Sequence, residues 1–290
     1  MHEWNAFEVF ADKLKYVREV SGVTVPWYIM TSKDNNKQTI DFFEANNYFD
    51  YKDGIKTFFN QKELPMMDEA GKLIIDESGL VKEAANGHGG VYEALVENGA
   101  LEEMQKDGIE WLFICGVDNV LAKLVDPVLV GYSALNGYKI TSVSCIKANP
   151  QEKVGVFCKK NGRPSVVEYT EIPEEMAQAT DERGELIYGE SHILCNLFNI
   201  EAVERMGNKP LPYHSAFKKA TYIDKDGNKV VPDGPNAYKF EAFLFDAFGE
   251  LDDMAILRVK REEEFAPVKN ATGVDSPETA RELYRKFYQL

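Results

Sequence analysis

A chain of 290 residues, 44% hydrophobic and 12% aromatic, is long enough to bury a large core as one big domain or two ordinary ones. Its 33 Lys and Arg stand against 48 Asp and Glu, and the net charge of −15 argues against nonspecific binding to nucleic acid or to anionic membranes. A small phosphorylated substrate stays admissible, because a few local lysines and a metal can reverse the potential inside one cleft.

The first thirty residues carry charges throughout and no apolar signal core, and no stretch approaches the roughly 20 apolar residues that span a bilayer. Cys115, Cys145, Cys158 and Cys195 show no CxxC spacing. Reduced core thiols in a cytoplasmic protein are the expectation.

In chain order, Phe7, Phe10, Leu14 and Val17 recur at helical spacing up to a stop at Ser21-Gly22, and Val23 to Thr31 is β-rich. Lys37 to Asn46 offers an amphipathic helix, so the chain opens in a β-then-α rhythm. Phe58-Phe59 and Leu73 to Ile75 read as short strands around the turn at Asp68 to Gly71, and Val91 to Met104 as a helix opened by glycines. Trp111 to Val117 is an uninterrupted apolar run, the pattern of a buried central strand, and it closes on Asp118-Asn119. Asp126-Pro127 caps a helix through Leu135, and Ile140 to Ala148 supplies a further strand. From Gly155 the pattern changes to hairpins, VGVFCKK with SVVEYTEI about Asn161-Gly162, then Ala220 to Val231 about Lys225 to Asn228. Tyr238 to Phe248 is predicted as a helix, Ala255 to Lys260 as a strand and Pro277 to Phe287 as a terminal helix. With no repeat or polar linker, residues 1–290 are expected to form one continuous domain. The fold class is α/β: a mixed, largely parallel sheet flanked by helices, with inserted β-hairpins.

Several residues suit nucleotide chemistry, each with a plainer reading beside it. Asp118, at the carboxyl end of a strand, can hold a divalent metal against a phosphate, or can cap a following helix. Asn86-Gly87-His88-Gly89-Gly90 allows close approach of the backbone to a ligand at a helix start, or forms a flexible turn. Lys269 and Lys239 are phosphate partners or solvated surface lysines. Glu168-Tyr169 can bond sugar hydroxyls or pair across a hairpin. His88, His192 and His214 are well separated and lack zinc spacing, and neither a GxSxG elbow nor a Walker lysine loop occurs.

Eight blocks in register, VPWYIMTS (from Val25), FFNQKELPMM (from Phe58), NGHGGVYEAL (from Asn86), CGVDNVL (from Cys115), NPQEKVGV (from Asn149), VVEYTEI (from Val166), PNAYKFEAFLFDAF (from Pro235) and EEEFAPVKNATG (from Glu262), resemble the UDP-sugar pyrophosphorylase family and cover nearly the whole chain. The EYTEI, VDN and EFAPVKN forms are most similar to its UDP-N-acetylglucosamine branch. The resemblance implies a nucleotide-diphospho-sugar transferase-like, Rossmann-like core and uridylyl transfer from UTP to N-acetylglucosamine 1-phosphate, with magnesium and release of pyrophosphate. It implies that Gln61, Gly87, His88 and Gly89 read the nucleotide and that Asp118 holds magnesium. Glu168, Tyr169 and His192 would line the sugar, and Lys269 with Lys239 would serve the phosphates. Two departures bear on activity. The family's glycine-rich triphosphate loop would precede the first helix, where only Met1 to Ala6 stand, and the chain ends at Leu290 where the family continues. A core truncated at both ends is expected, with a catalytically impaired UDP-sugar binder as one alternative. UDP-glucose pyrophosphorylase is the other, since His88 stands where the N-acetylglucosamine branch has asparagine.

Overall fold

Asn5 accepts the Glu8 N–H at 2.9 Å and so caps helix α1 (Ala6–Ser21), which Gly22 ends in the left-handed conformation at φ 72°. The computed structural model describes residues 5–290; residues 1–4, on which part of the expectation about the opening segment falls, lie outside them. There follow β1 (Trp27–Thr31), α2 (Asn36–Ala45), β2 (Ile55–Asn60), β3 (Glu63–Pro65), β4 (Glu83–Ala85), α3 (Val91–Glu97) and α4 (Ala100–Lys106). The helix predicted over Val91 to Met104 is thus two, broken where Gly99 takes φ 73°. Then come β5 (Trp111–Cys115), α5 (Pro127–Asn136), β6 (Ile140–Ile146), β7 (Val156–Lys160), β8 (Arg163–Val167), α6 (Glu174–Ala177), β9 (Glu190–Asn199) and α7 (Ile200–Gly207). The last part holds β10 (His214–Lys218), β11 (Tyr222–Ile223), β12 (Lys229–Val230), β13 (Ala237–Glu241), β14 (Ala255–Arg258), α8 (Arg261–Glu264) and α9 (Pro277–Tyr288). Both expected hairpins form, as β7–β8 and β11–β12. The helix predicted over Tyr238 to Phe248 does not: Ala237–Glu241 pairs antiparallel with β10, and Leu244–Glu250 is a 3₁₀ segment.

The main sheet runs β14-β6-β9-β7-β8, with β5 also on β9. Only β14 and β6 run parallel in it, while β5, β6 and β7 all meet β9 antiparallel. The expectation of a largely parallel sheet is corrected accordingly. The β-then-α rhythm and the apolar run at β5 both suggest parallel pairing, but such a run reports burial on both faces and leaves strand direction open. Parallel pairing recurs in the separate pair β1–β2.

The centre of the sheet is β9 rather than β5. Between its His192 and Asn196 the opposite strand advances only from Ser144 to Ser142, so β9 bulges there, with Leu194 at φ 50°. At this bulge its other edge changes partner, from Cys115 of β5 to Val156 of β7. The end of β5 is released into the loop that carries Asp118. One face of the sheet packs Ile140 and Phe198 against α3, α4 and α7, the other packs Val143 and Leu197 against Phe10 of α1 and Leu129 of α5. All four cysteines are free thiols, and no helix among the described residues is long and apolar enough to cross a membrane.

Candidate active site at the end of strand β5

The loop after β5 is fixed by its asparagine. Asn119 is buried, accepts the Ala266 N–H at 2.9 Å and donates to the Glu264 carbonyl at 2.8 Å, while the Val268 N–H donates to the Asp118 carbonyl at 2.9 Å. Lys13 of α1 adds hydrogen bonds to the carbonyls of Val120 and Ala122 at 2.7 and 2.8 Å, and burial lowers its pKa to about 8. The next helix, α5, begins at Pro127 and is capped by Asp126, so Asp118 is no helix cap. Its carboxyl is partly buried, which raises its pKa, and nearby Lys269 favours the charged form. Lys269 follows the strand of chain that Asn119 holds, with its ammonium exposed and 5.7 Å from the Phe265 ring centre.

Glu168 immediately follows β8, and its carbonyl accepts the N–H groups of Glu171 and Ile172 in a tight turn. Burial raises its pKa, as does Glu171, whereas His214 and Lys269 pull it down. Tyr169 beside it is exposed. His214 links this turn to Asp246, with Nδ1 3.1 Å from Glu171 Oε1 and Nε2 3.0 Å from Asp246 Oδ1.

The glycine run is shaped by backbone contact. Gly89 N–H donates to the Ala242 carbonyl at 2.9 Å, and a Cβ on Gly87 would lie 2.5 Å from that oxygen, one on Gly89 2.6 Å from the Phe243 carbonyl carbon. The Gly90 N–H is likewise spent, on the Gly87 carbonyl. These amides are committed to protein, which favours neither a flexible turn nor a free anion nest. What the run presents is His88, whose Nδ1 accepts the Leu244 N–H at 3.0 Å, so that Nε2 carries the proton. Burial lowers its pKa to about 4. Its ring lies 5.4 Å from Phe243 and 6.0 Å from Phe245.

His192, on the bulge of β9, is buried among Phe157, Phe245 and Phe248, and burial and the neighbouring His88 lower its pKa to about 3. Its Nε2 is 3.2 Å from Asn196 Oδ1. Gln61 sits just before β3, with its N–H on the Thr31 carbonyl; its Oε1 and the Oδ1 of neighbouring Asn86 are buried and have no protein partner. Asn86 holds this corner together, its N–H on the Lys62 carbonyl at 3.0 Å and its own carbonyl accepting the Ala242 N–H at 2.7 Å.

These residues form a chain of neighbours, Asp118 beside Lys269, Lys269 and His214 beside Glu168, His214 against Phe243, Phe243 against His88, and His88 near the buried His192. Lys239 joins it only indirectly. It lies in β13 rather than at a helix start, and its ammonium is bound 2.6 Å from Glu241, whose Cβ packs on Gly87. Asp246 and the pair Phe243 and Phe245 fall in the segment predicted as a helix over 238–248, and His214 enters the sequence reading only as a histidine without zinc spacing.

The sequence pattern of the UTP--glucose-1-phosphate uridylyltransferase family matches residues 2–274. The chain belongs to this family. Within it, the chain is 39% identical over 287 residues to the human UDP-N-acetylhexosamine pyrophosphorylase-like protein 1, covering 95% of this chain and 57% of that one. The UDP-N-acetylglucosamine pyrophosphorylase of Saccharomyces cerevisiae is 35% identical over 293 residues, covering 97% of this chain and 61% of the yeast protein. The solved Trypanosoma brucei uridine diphosphate N-acetylglucosamine pyrophosphorylase, in complex with an inhibitor, superposes with a TM-score of 0.80 at 32% identity, covering 96% of this chain and 58% of that one. This member of the family thus spans little more than half the length of these relatives.

Proposed function

We propose that this chain forms the cleft of a uridylyltransferase that joins UTP to N-acetylglucosamine 1-phosphate and releases pyrophosphate. The observation that carries this reading is the succession of neighbours Asp118, Lys269, Glu168, His214, Phe243 and His88, in a chain similar to N-acetylhexosamine and N-acetylglucosamine pyrophosphorylases over nearly all of its length.

The parts divide by chemistry. The buried, unpartnered Gln61 Oε1 is an acceptor suited to the ring N–H of uracil, and Asn86 Oδ1 stands beside it. A sugar phosphate oxygen attacks the α-phosphorus in line, forming one P–O bond as the bond to pyrophosphate breaks, so the protein chiefly positions reactants and offsets charge. Lys269 supplies a point charge to the phosphates. Glu168 accepts from sugar hydroxyls. His88 offers a fixed Nε2–H donor, and Phe243 with Phe245 an apolar wall that an acetamido methyl needs and a bare hydroxyl does not.

Magnesium fits on the chemistry of its donor. Mg²⁺ is usually held by one or two carboxylates together with substrate phosphates rather than by an all-protein cage. Among the described residues no cluster of three or more metal-ligating side chains occurs, and Asp118 is a strand-end carboxylate facing the lysine of the phosphate site. Asp118 would hold the ion, which would neutralise phosphate charge. Free thiols suit work in the reducing cytoplasm.

The test is pyrophosphate release from UTP with N-acetylglucosamine 1-phosphate or glucose 1-phosphate, with and without magnesium. Any turnover is expected to need magnesium and to prefer the N-acetylated sugar. Preference for glucose 1-phosphate would instead assign His88 to glucose recognition.

A further inference from the structure

His214 opens β10 between two carboxylates that belong to different parts of the sugar wall. Glu171 lies in the turn closed on the Glu168 carbonyl, and Asp246 accepts the Phe243 N–H at 2.8 Å through Oδ2. The imidazole contacts both, and its ring packs 4.7 Å from that of Phe243. It therefore joins the segment that carries Glu168 to the segment whose Leu244 N–H fixes His88. A neutral imidazole has one donor and one acceptor, so one carboxylate would face a lone pair; only the imidazolium donates to both.

We propose that protonated His214 is a positioning residue for the sugar half of the cleft, a clamp on Glu168 and Phe243 whose loss of a proton loosens sugar binding and spares nucleotide binding. The inference rests on the uridylyltransferase reading for its ligand. The charged groups facing the ring are Asp246 and Glu171 in direct contact and Glu168 in the same turn, with Lys269 beyond Glu168. Burial acts to lower the His214 pKa, but the hydrogen bonds and charges of Asp246 and Glu171 outweigh it and the net direction is up. With the folded value raised, the clamp is fully formed below the ordinary histidine value of about 6.5 and is lost as pH rises through the folded one.

The experiment is calorimetric titration with UDP and with UDP-N-acetylglucosamine from about pH 6 to about pH 9, for the unmodified chain, His214→Gln and Glu171→Gln, with the His214 ring followed by NMR. The advantage of UDP-N-acetylglucosamine over UDP should shrink as pH rises. His214→Gln should bind UDP normally and UDP-N-acetylglucosamine roughly tenfold more weakly, the scale of one charge-assisted hydrogen bond, with no such pH response. Glu171→Gln, a change at a half-exposed carboxylate, should lower the His214 midpoint and bring the loss to lower pH, and it serves if His214→Gln fails to fold. Equal weakening of both ligands, an unchanged pH response in His214→Gln, or a His214 midpoint at or below about 6.5 would overturn the clamp. Failure of UDP itself to bind would count against the uridylyltransferase reading, and the His214 midpoint with and without Glu171 would then decide the clamp alone.

Discussion

His88 and His192 are both withdrawn from water and both neutral, and this has a cost in acid. Burial lowers their pKa values to about 4 and about 3, below the unfolded value of about 6.5. As pH falls below 6.5 the unfolded chain takes up protons that the native state refuses, so each histidine withdraws up to about 1.4 kcal/mol of stability per pH unit until its folded pKa is reached. Replacing both by Asn should flatten the fall of urea-unfolding stability between about pH 6.5 and about pH 4; an unchanged slope would mean that other groups govern it. Asp118 shows the opposite economy. Its raised pKa means that its charge is disfavoured by burial, so Asp118→Ala should leave the melting temperature unchanged or higher while abolishing the magnesium dependence of nucleotide binding. Calorimetry with and without magnesium, beside a melting curve, checks both halves.

At the scale of elements, the glycine run and the bulge of β9 shape the cleft. Gly89→Ala would put a methyl group 2.6 Å from the Phe243 carbonyl carbon and push His88 off Leu244. A loss of about 1–3 kcal/mol in stability is expected, with clearly weaker UDP-N-acetylglucosamine binding. Gly131, inside α5 with nothing near its Cβ position, is the control: Gly131→Ala should gain up to about 1 kcal/mol and leave binding alone. Equal effects at the two positions would show that close approach is not what the run is for. Legibility in the sequence followed the same physics. The hairpin at Asn161-Gly162 and the cap at Asp126 were readable because turn and cap chemistry is local. Strand β9 was not among the predicted elements, since Ser191, His192 and Asn196 interrupt its apolar residues although it is buried on both faces. Likewise Asp118, Lys269 and Glu168 could be named from their motifs, whereas the pairing of His214 with Asp246 joins segments 32 residues apart and has no local signature.

On the scale of the whole molecule, the antiparallel crossing of β9 between β6 and the divided edge of β5 and β7 places the Asp118 loop and His192 at one bulge. The family match over residues 2–274 and the superposition on the Trypanosoma brucei enzyme agree with that architecture. The central claim is that the resulting cleft accepts a uridine diphosphate N-acetylhexosamine. Its most direct test is calorimetric titration of the chain with UDP-N-acetylglucosamine and with UDP-glucose in the presence of magnesium. The account expects UDP-N-acetylglucosamine to bind at least as tightly as UDP-glucose. A clear preference for UDP-glucose would contradict the assignment of the sugar, and heat from neither ligand would contradict the site itself.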